Sequence, residues 1–564
     1  MLESCQKIPR WGAGGFVCAP IWVFMMRPCS FILFLLCATV SYSDSGPPRN
    51  LLSPSAAQTD STITLIWDKP ADYAGVTGYD IYQDEVKIGD STRCNFQARN
   101  LQPARAYTFT VRAKSGKVIS PPSNSVGVST HPKGATFLVT DFGAVGDGKT
   151  DNTRAIQAAL DACAPGGTVM VPSGKFITGA LFVRKSDTTV FLASGALLQG
   201  THDLAAYPKI KSRYEGIERE TYASIINCGS MVSGVANIAL RGPGTIDCQG
   251  SFLSPAQTKL ANRSVRSHGL LLLNCTNVYL EGFTIQNSPT WCIHPVYCQG
   301  LTTEGVTIHT DGYGVSNADG WNPDSSTDCF IFNSTFSTHD DCIAIKSGAD
   351  ADGRRVGRPS RNIRVTDCLF KSGGGFAVGS EMSGSISNVF VQDCHFVKVD
   401  RGFNIKTRRK RGGIVENLLI KDVTAEHFGS WGFNLEMYYY DNGSTPPQPP
   451  EGTPIFRNFR FENITINRVN GPAVTMCGLP ESHPSNITFE NVTIKEAEKG
   501  CIVTNCDHVS FRDFKAHPKM GPLWSKVADN IDVTVTSTSP RHTEMLKPNA
   551  DAMGNGNELR PDGG

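Results

Sequence analysis

From Asn277 onward, apolar and polar positions alternate in short runs that recur down the chain. Asn277-Val278-Tyr279-Leu280 with Phe283-Thr284-Ile285 returns as Leu301 with Val306-Thr307-Ile308. It returns again as Asn362-Ile363-Arg364-Val365 with Cys368-Leu369-Phe370, and as Asn388-Val389-Phe390-Val391 with Cys394-His395-Phe396. Later copies begin at Asn417, Asn458, Asn486 and near His508; successive starts are mostly 22–34 residues apart, with one gap of 41. A unit this short cannot cover its own apolar side, so neighbouring units must stack. The pattern predicts an all-β fold, a right-handed parallel β-helix over residues 134–540.

Before the repeats the rhythm differs. Ile63-Thr64-Leu65-Ile66-Trp67, Gly78-Tyr79-Asp80-Ile81-Tyr82 and Tyr107-Thr108-Phe109-Thr110-Val111 are short alternating strands separated by turn residues, the spacing of a β-sandwich. These blocks, with Leu101, resemble a fibronectin type III domain over 44–133, which holds no cluster of titratable groups and is expected to serve as a spacer or docking module. His131-Pro132-Lys133-Gly134 is the predicted linker. Next, Asp141 to Gly148 is rich in turn formers, Ala155 to Cys163 has the periodicity of an N-capped helix, and Gly166 to Pro172 reads as a first buried strand. Such a helix would plug one end of the solenoid and cover its unpaired edge. Residues 541–564, polar and rich in Gly, Pro and Asn, are expected to be disordered.

Composition removes several classes of function. A net charge of +1 over 564 residues gives no reason to expect nucleic acid or membrane as a partner. The apolar run Phe31 to Val40, after Arg27 and before Ser41-Tyr42-Ser43, reads as a secretory signal in residues 1–43, too short to span a bilayer. Met25 or Met26 offers an alternative start. A secreted or periplasmic protein, expected to be monomeric, follows. Of 18 cysteines, Cys5, Cys18, Cys29 and Cys37 lie in that leader, and the remaining 14 include Cys329, Cys342, Cys368 and Cys394 inside coil-like segments. There buried, stacked thiols compete with disulfides. No CxxC pair exists, so neither a structural metal nor a cofactor is expected.

The candidate chemistry lies between Asn317 and Lys346. Asp319 and Asp340 are 21 residues apart, about one coil, so a β-helix would gather Asp319, Asp340 and Asp341 on one face. Continuing by coils, the patch passes Gly373-Gly374-Gly375 and reaches Lys406. Crowding raises the pKa of one carboxyl, and glycoside hydrolysis needs a proton donor beside a base that activates water. Spacing does not say which carboxyl is the donor.

Asn317-Ala318-Asp319, Asp340-Asp341 and Ile405-Lys406 resemble the signature blocks of glycoside hydrolase family 28, the polygalacturonases. The resemblance implies an inverting hydrolase of α-1,4-galacturonosidic bonds, acting on polygalacturonate and oligogalacturonides, and of the exo-acting kind. It assigns Asp340 as general acid, with Asp319 and Asp341 holding and deprotonating water. Lys406 would bind a sugar carboxylate, and Asn317 would orient Asp319 or the sugar. Two positions depart from the family. Gly374 stands where a supporting histidine is common, and Asn404 where an arginine is common; Arg401, Arg408 or Arg409 could replace that arginine.

Arg401 to Arg411 and the series Arg354, Arg355, Arg358, Arg361 and Arg364 form two basic clusters expected to contact a polyanion. Tyr438, opening Tyr438-Tyr439-Tyr440, joins the candidate substrate contacts, and Pro446 to Pro454 could wall off one end of the cleft. His294 is expected to pack in a turn. The competing functions are a calcium-dependent pectate lyase, a non-catalytic pectin-binding β-helix and a rhamnogalacturonan hydrolase.

Overall fold

A computed structural model describes residues 46–546, apart from 55–56, 262–264, 442 and 539–540. The expected leader lies outside them, as does most of the expected tail. The first part of that tail is a strand, however: Arg541–Met545 pairs antiparallel with Ile531–Thr538.

The repeats fold as parallel coils. Strands such as Thr276–Glu281, Gln299–Glu304, Thr327–Phe332, Ser360–Thr366 and Ile386–Gln392 stack in register, each inward residue lying above its counterpart. The asparagines that open the repeats have a physical role. Asn277, Asn362, Asn388, Asn417, Asn458 and Asn486 all adopt positive φ, a conformation Asn tolerates better than most residues. From Asn388 to Asn486 each side-chain amide donates to the preceding one, at 2.7–3.2 Å. Inside, like stacks on like: Phe336, Phe370 and Phe396 lie face to face at 5.1 and 4.2 Å. All 14 cysteines from Cys94 onward are free thiols, and all but Cys477 are buried.

The plug is the helix Thr153–Ala162, which turns Ile156, Ala159 and Leu160 onto the core. Asp151 Oδ1, rather than the Asn152 side chain, accepts from Thr153 N at 2.9 Å, while the Asn152 amide turns back to Val145.

The first domain is a two-sheet sandwich whose buried Trp67 meets Tyr79 edge-on at 5.3 Å. It lies against the flank of the coils. Lys69 Nζ reaches Asp393 at 2.6 Å and Asp422 at 3.0 Å; Tyr73 donates to Asp422, Asn95 to Asp367 and Gln97 to Glu281. Arg364 pairs with Asp68 across the same boundary. Burial, and then the charge of Asp393, push the Asp367 carboxyl up to about 7. The folded protein therefore holds a proton there that the unfolded chain has already lost, so this residue's contribution to stability falls as pH rises from about 4 to about 7. Replacing Asp367 with Asn should flatten that part of the stability-versus-pH curve, as followed by denaturant midpoints; an unchanged slope would contradict it.

Candidate active site

Strand register decides which of the residues singled out by spacing meet. Ile293 bridges Trp321, which bridges Ile343, so Asp319 stands opposite Asp341 with Gly320 N donating to Asp341 O at 2.9 Å. Ile343 pairs with Phe376, and Phe376 with Phe403. Counting back two residues puts Gly374 and Arg401 in the column of Asp341. Lys406 pairs instead with Gly379 and Glu436, farther along the same strands. The expected line from Asp340 through Gly374 to Lys406 is thus corrected. Arg401 continues the column, because loop lengths vary and residue counts fix the coil but not the position along it.

The expected carboxylates do come together. Lys406 reaches across with its long side chain, its Nζ 2.8 Å from Asp341 Oδ2, both groups being buried. Arg401 Nη2 lies 2.8 Å from Asp340 Oδ1 and 3.8 Å from Asp341 Oδ1. Asp319 is buried and accepts from Asn322 Nδ2 at 2.8 Å. Asp340 is the outermost of the three, its side chain 27% exposed against 3% for Asp341.

Their environments push the carboxyls apart. Burial, reinforced by the charges of Asp340 and Asp341, raises Asp319 well above the ordinary range, against the opposing pull of Lys346. Burial would raise Asp340 too, but Arg401 and Lys406 outweigh it and hold that group below the ordinary range. Lys406 itself is raised: burial disfavours its charge, and Asp341 more than restores it. The site therefore holds one carboxyl suited to keep a proton, one held ionised, and a cation locked beside them.

The other predicted contacts divide. Asn317, at positive φ, accepts from Arg266 Nη2 at 3.0 Å. Arg408, a third exposed, lies 3.6 Å from Asp350. Arg409 is withdrawn: it is buried in a two-pronged pair with Glu481, at 2.6 and 2.8 Å. Tyr438 packs on the core beneath Arg409, whereas the next ring, Tyr439, covers Lys406 and the following Tyr440 is exposed. The expected substrate contact Tyr438 is thus turned inward, and the ring beside the lysine is that of Tyr439. The second basic cluster disperses, since the helix Asp350–Val356 and the strand Ser360–Thr366 send its members to different partners. Arg355 meets Glu218 and Asp352, and Arg364 meets the sandwich. His294 lies fully buried on the strand Ile293–Val296, bonded to His268 and Asp324.

Sequence reasoning missed Lys346, Glu381 and a hairpin. Lys346 Nζ sits 2.6 Å from Glu381 and over the Trp291 ring, and its charge acts on Asp319. Its place at the end of the Asp340-to-Lys346 run was the available signal. The hairpin of Lys209–Tyr214 and Ile217–Tyr222 reaches from Arg266, which donates to Tyr214 Oη at 2.6 Å, to Ala349, whose N donates to Gly216 O. It lies beside the site, Gly216 at its turn packing against Ala349 and Glu381. The Pro-rich stretch expected as a wall forms a short 3-10 turn, Pro450–Gly452, with Glu451 against Gly412.

Residues 168–512 match the model of glycosyl hydrolases family 28, and residues 46–129 match the fibronectin type III domain. An exo-poly-alpha-D-galacturonosidase of Dickeya chrysanthemi is 28% identical over 508 residues, covering 76% of this chain and 84% of the relative. In fold, the chain is similar to the family 28 exopolygalacturonase of Yersinia enterocolitica, with a TM-score of 0.78 at 23% identity over 86% of this chain and 99% of that one. A hyperthermoactive exopolygalacturonase from Thermotoga maritima gives 0.58 at 24% identity, over 73% and 94%. Among the described residues no helix is long and apolar enough to cross a membrane.

Proposed function

Since the chain belongs to glycosyl hydrolases family 28, we propose that it removes residues from one end of polygalacturonate by hydrolysing α-1,4-galacturonosidic bonds with inversion. The observation that carries this is the meeting of Asp319, Asp340 and Asp341 beside buried, charged Lys406; likeness to exo-acting relatives supports action at a chain end. Asp340, nearest solvent, is the acid that protonates the leaving oxygen. Asp319 and Asp341, deeper and in register, hold the attacking water, and Asp341 takes its proton. Lys406 and Arg401 receive uronate carboxylates, Arg401 suiting the two-pronged geometry of a carboxylate. Asn317 positions the sugar, Arg408 offers a further cation at the rim, and Tyr439 and Tyr440 supply ring surface. The protein acts outside the cytoplasm as a monomer, after removal of its leader.

Early products of polygalacturonate digestion test this. One small saccharide should dominate from the first minutes; a ladder of oligomers would overturn exo action. Products absorbing ultraviolet light, lost on chelation, would instead indicate the lyase. Full binding without new reducing ends would indicate a non-catalytic lectin. Cleavage confined to rhamnose-containing backbone would indicate the rhamnogalacturonan hydrolase.

A further inference from the structure

The pair formed by Asp340 and Arg401 poses a difficulty for the proposed acid: a carboxyl bound to guanidinium at 2.8 Å has no proton to give. The surroundings suggest how the protein resolves it. Gly374 lies directly beneath the guanidinium. A Cβ there would fall 2.6 Å from Arg401 Nη2 and 2.6 Å from Asp341 Oδ1. Gly374 does not need positive φ, unlike Gly373 and Gly375 on either side. What its missing side chain supplies is room, and Arg401 fills it. The fit is nevertheless incomplete: Asp341 Oδ1 and Arg401 Nε are buried atoms without a hydrogen-bond partner among the described residues.

We propose that Arg401, admitted by the bare Cα of Gly374, controls proton loading of Asp340: it pairs with Asp340 in the free protein and exchanges it for the carboxylate of an arriving uronate. This rests on Asp340 being the acid. On exchange, Asp340 loses its cation and gains a negative neighbour, so it takes one proton from bulk water. It gives that proton to the leaving glycosidic oxygen and, ionised again, regains Arg401 when product departs. Asp400 backs the guanidinium at 3.5 Å. The other charges facing Asp340 are Lys406, Lys346, Asp319 and Asp341, with exposed His339 next to it in the chain. None of these need move. A substrate lacking the carboxylate would leave the acid empty, so the device selects uronates at the proton-transfer step as well as in binding.

The pH dependence of turnover on polygalacturonate tests this. The alkaline limb of kcat/KM reports the acid in the free enzyme, and that of kcat reports it in the complex. In the wild-type protein the kcat/KM limb should lie lower by about one pH unit or more. In Arg401→Gln the two limbs should converge, the kcat/KM limb moving up. Gly374→Ala, which keeps the arginine but crowds it off Asp340, should shift that limb the same way. Coincident limbs in the wild-type protein, or an undiminished gap in either variant, would overturn the proposal. A merely structural arginine would lower rates without moving one limb relative to the other. Should Asp340→Asn turn over normally, the acid assignment itself would fail, an outcome distinct from coincident limbs in an enzyme that needs Asp340.

Discussion

Asp340→Asn is expected to lower kcat on polygalacturonate by roughly 10²–10⁴-fold while galacturonate binding is retained or tightened, since Arg401 no longer has to leave a carboxylate. The amide cannot donate a proton to a leaving oxygen, yet it keeps the shape and the carbonyl that accepts from Asp341 N at 2.9 Å. The ion pair with Arg401 is lost, but both side chains are partly exposed, 21% and 27%, so the fold loses little. Initial rates of reducing-end release, set beside calorimetric titration with galacturonate, separate the two effects. Turnover within about tenfold of wild type would remove Asp340 from the chemistry, because general acid catalysis is worth more than that.

The largest effect on stability should come from Lys406→Met. Lys406 and Asp341 are 4% and 3% exposed, and their 2.8 Å contact is deeply desolvated. Removing the lysine's charge leaves buried Asp341 with only the longer 3.8 Å contact to Arg401, at a cost of about 3 kcal/mol. The loss should appear as a lower denaturant midpoint at unchanged slope. Lys406→Met with Asp341→Asn should recover part of it, because no charge is then stranded, although the double variant has lost the chemistry. Equal stability of Lys406→Met and wild type would mean that Asp341 finds another partner or gives up its charge. Tyr439, whose ring lies 5.0 Å from Lys406 Nζ, cannot replace an ammonium.

What the sequence revealed and what it hid differ in a physical way. The coils were legible because alternation and repetition act residue by residue, and because Asn at positive φ marks the same corner of each turn. The gathering of three carboxylates followed from coil length alone. Position along a strand did not. Asp341 and Arg401 share a column because the segments between them have particular lengths, and no local rule gives that number. Side-chain reach was hidden as well. Lys406 approaches Asp341 from a different column, Arg409 turns away to Glu481, and a one-residue step separates Tyr438 on the core from Tyr439 over the lysine. The second basic cluster misled because adjacency in sequence ignores the corner between a helix and a strand. The hairpin went unseen because its partners, Arg266 and Ala349, are distant in the chain.

The sandwich touches the coils at Glu281, Glu304, Asn333, Asp367, Asp393 and Asp422, a run of successive turns. A solenoid held only by neighbour contacts can fray one rung at a time, from either end or from the middle. A rigid body fastened to several rungs acts as a splint, so no rung beneath it opens without pulling on the rest. Backbone amides of these rungs, which carry Asp319, Asp340 and Asp341, should exchange with solvent together and slowly, while those beyond Lys515 exchange sooner.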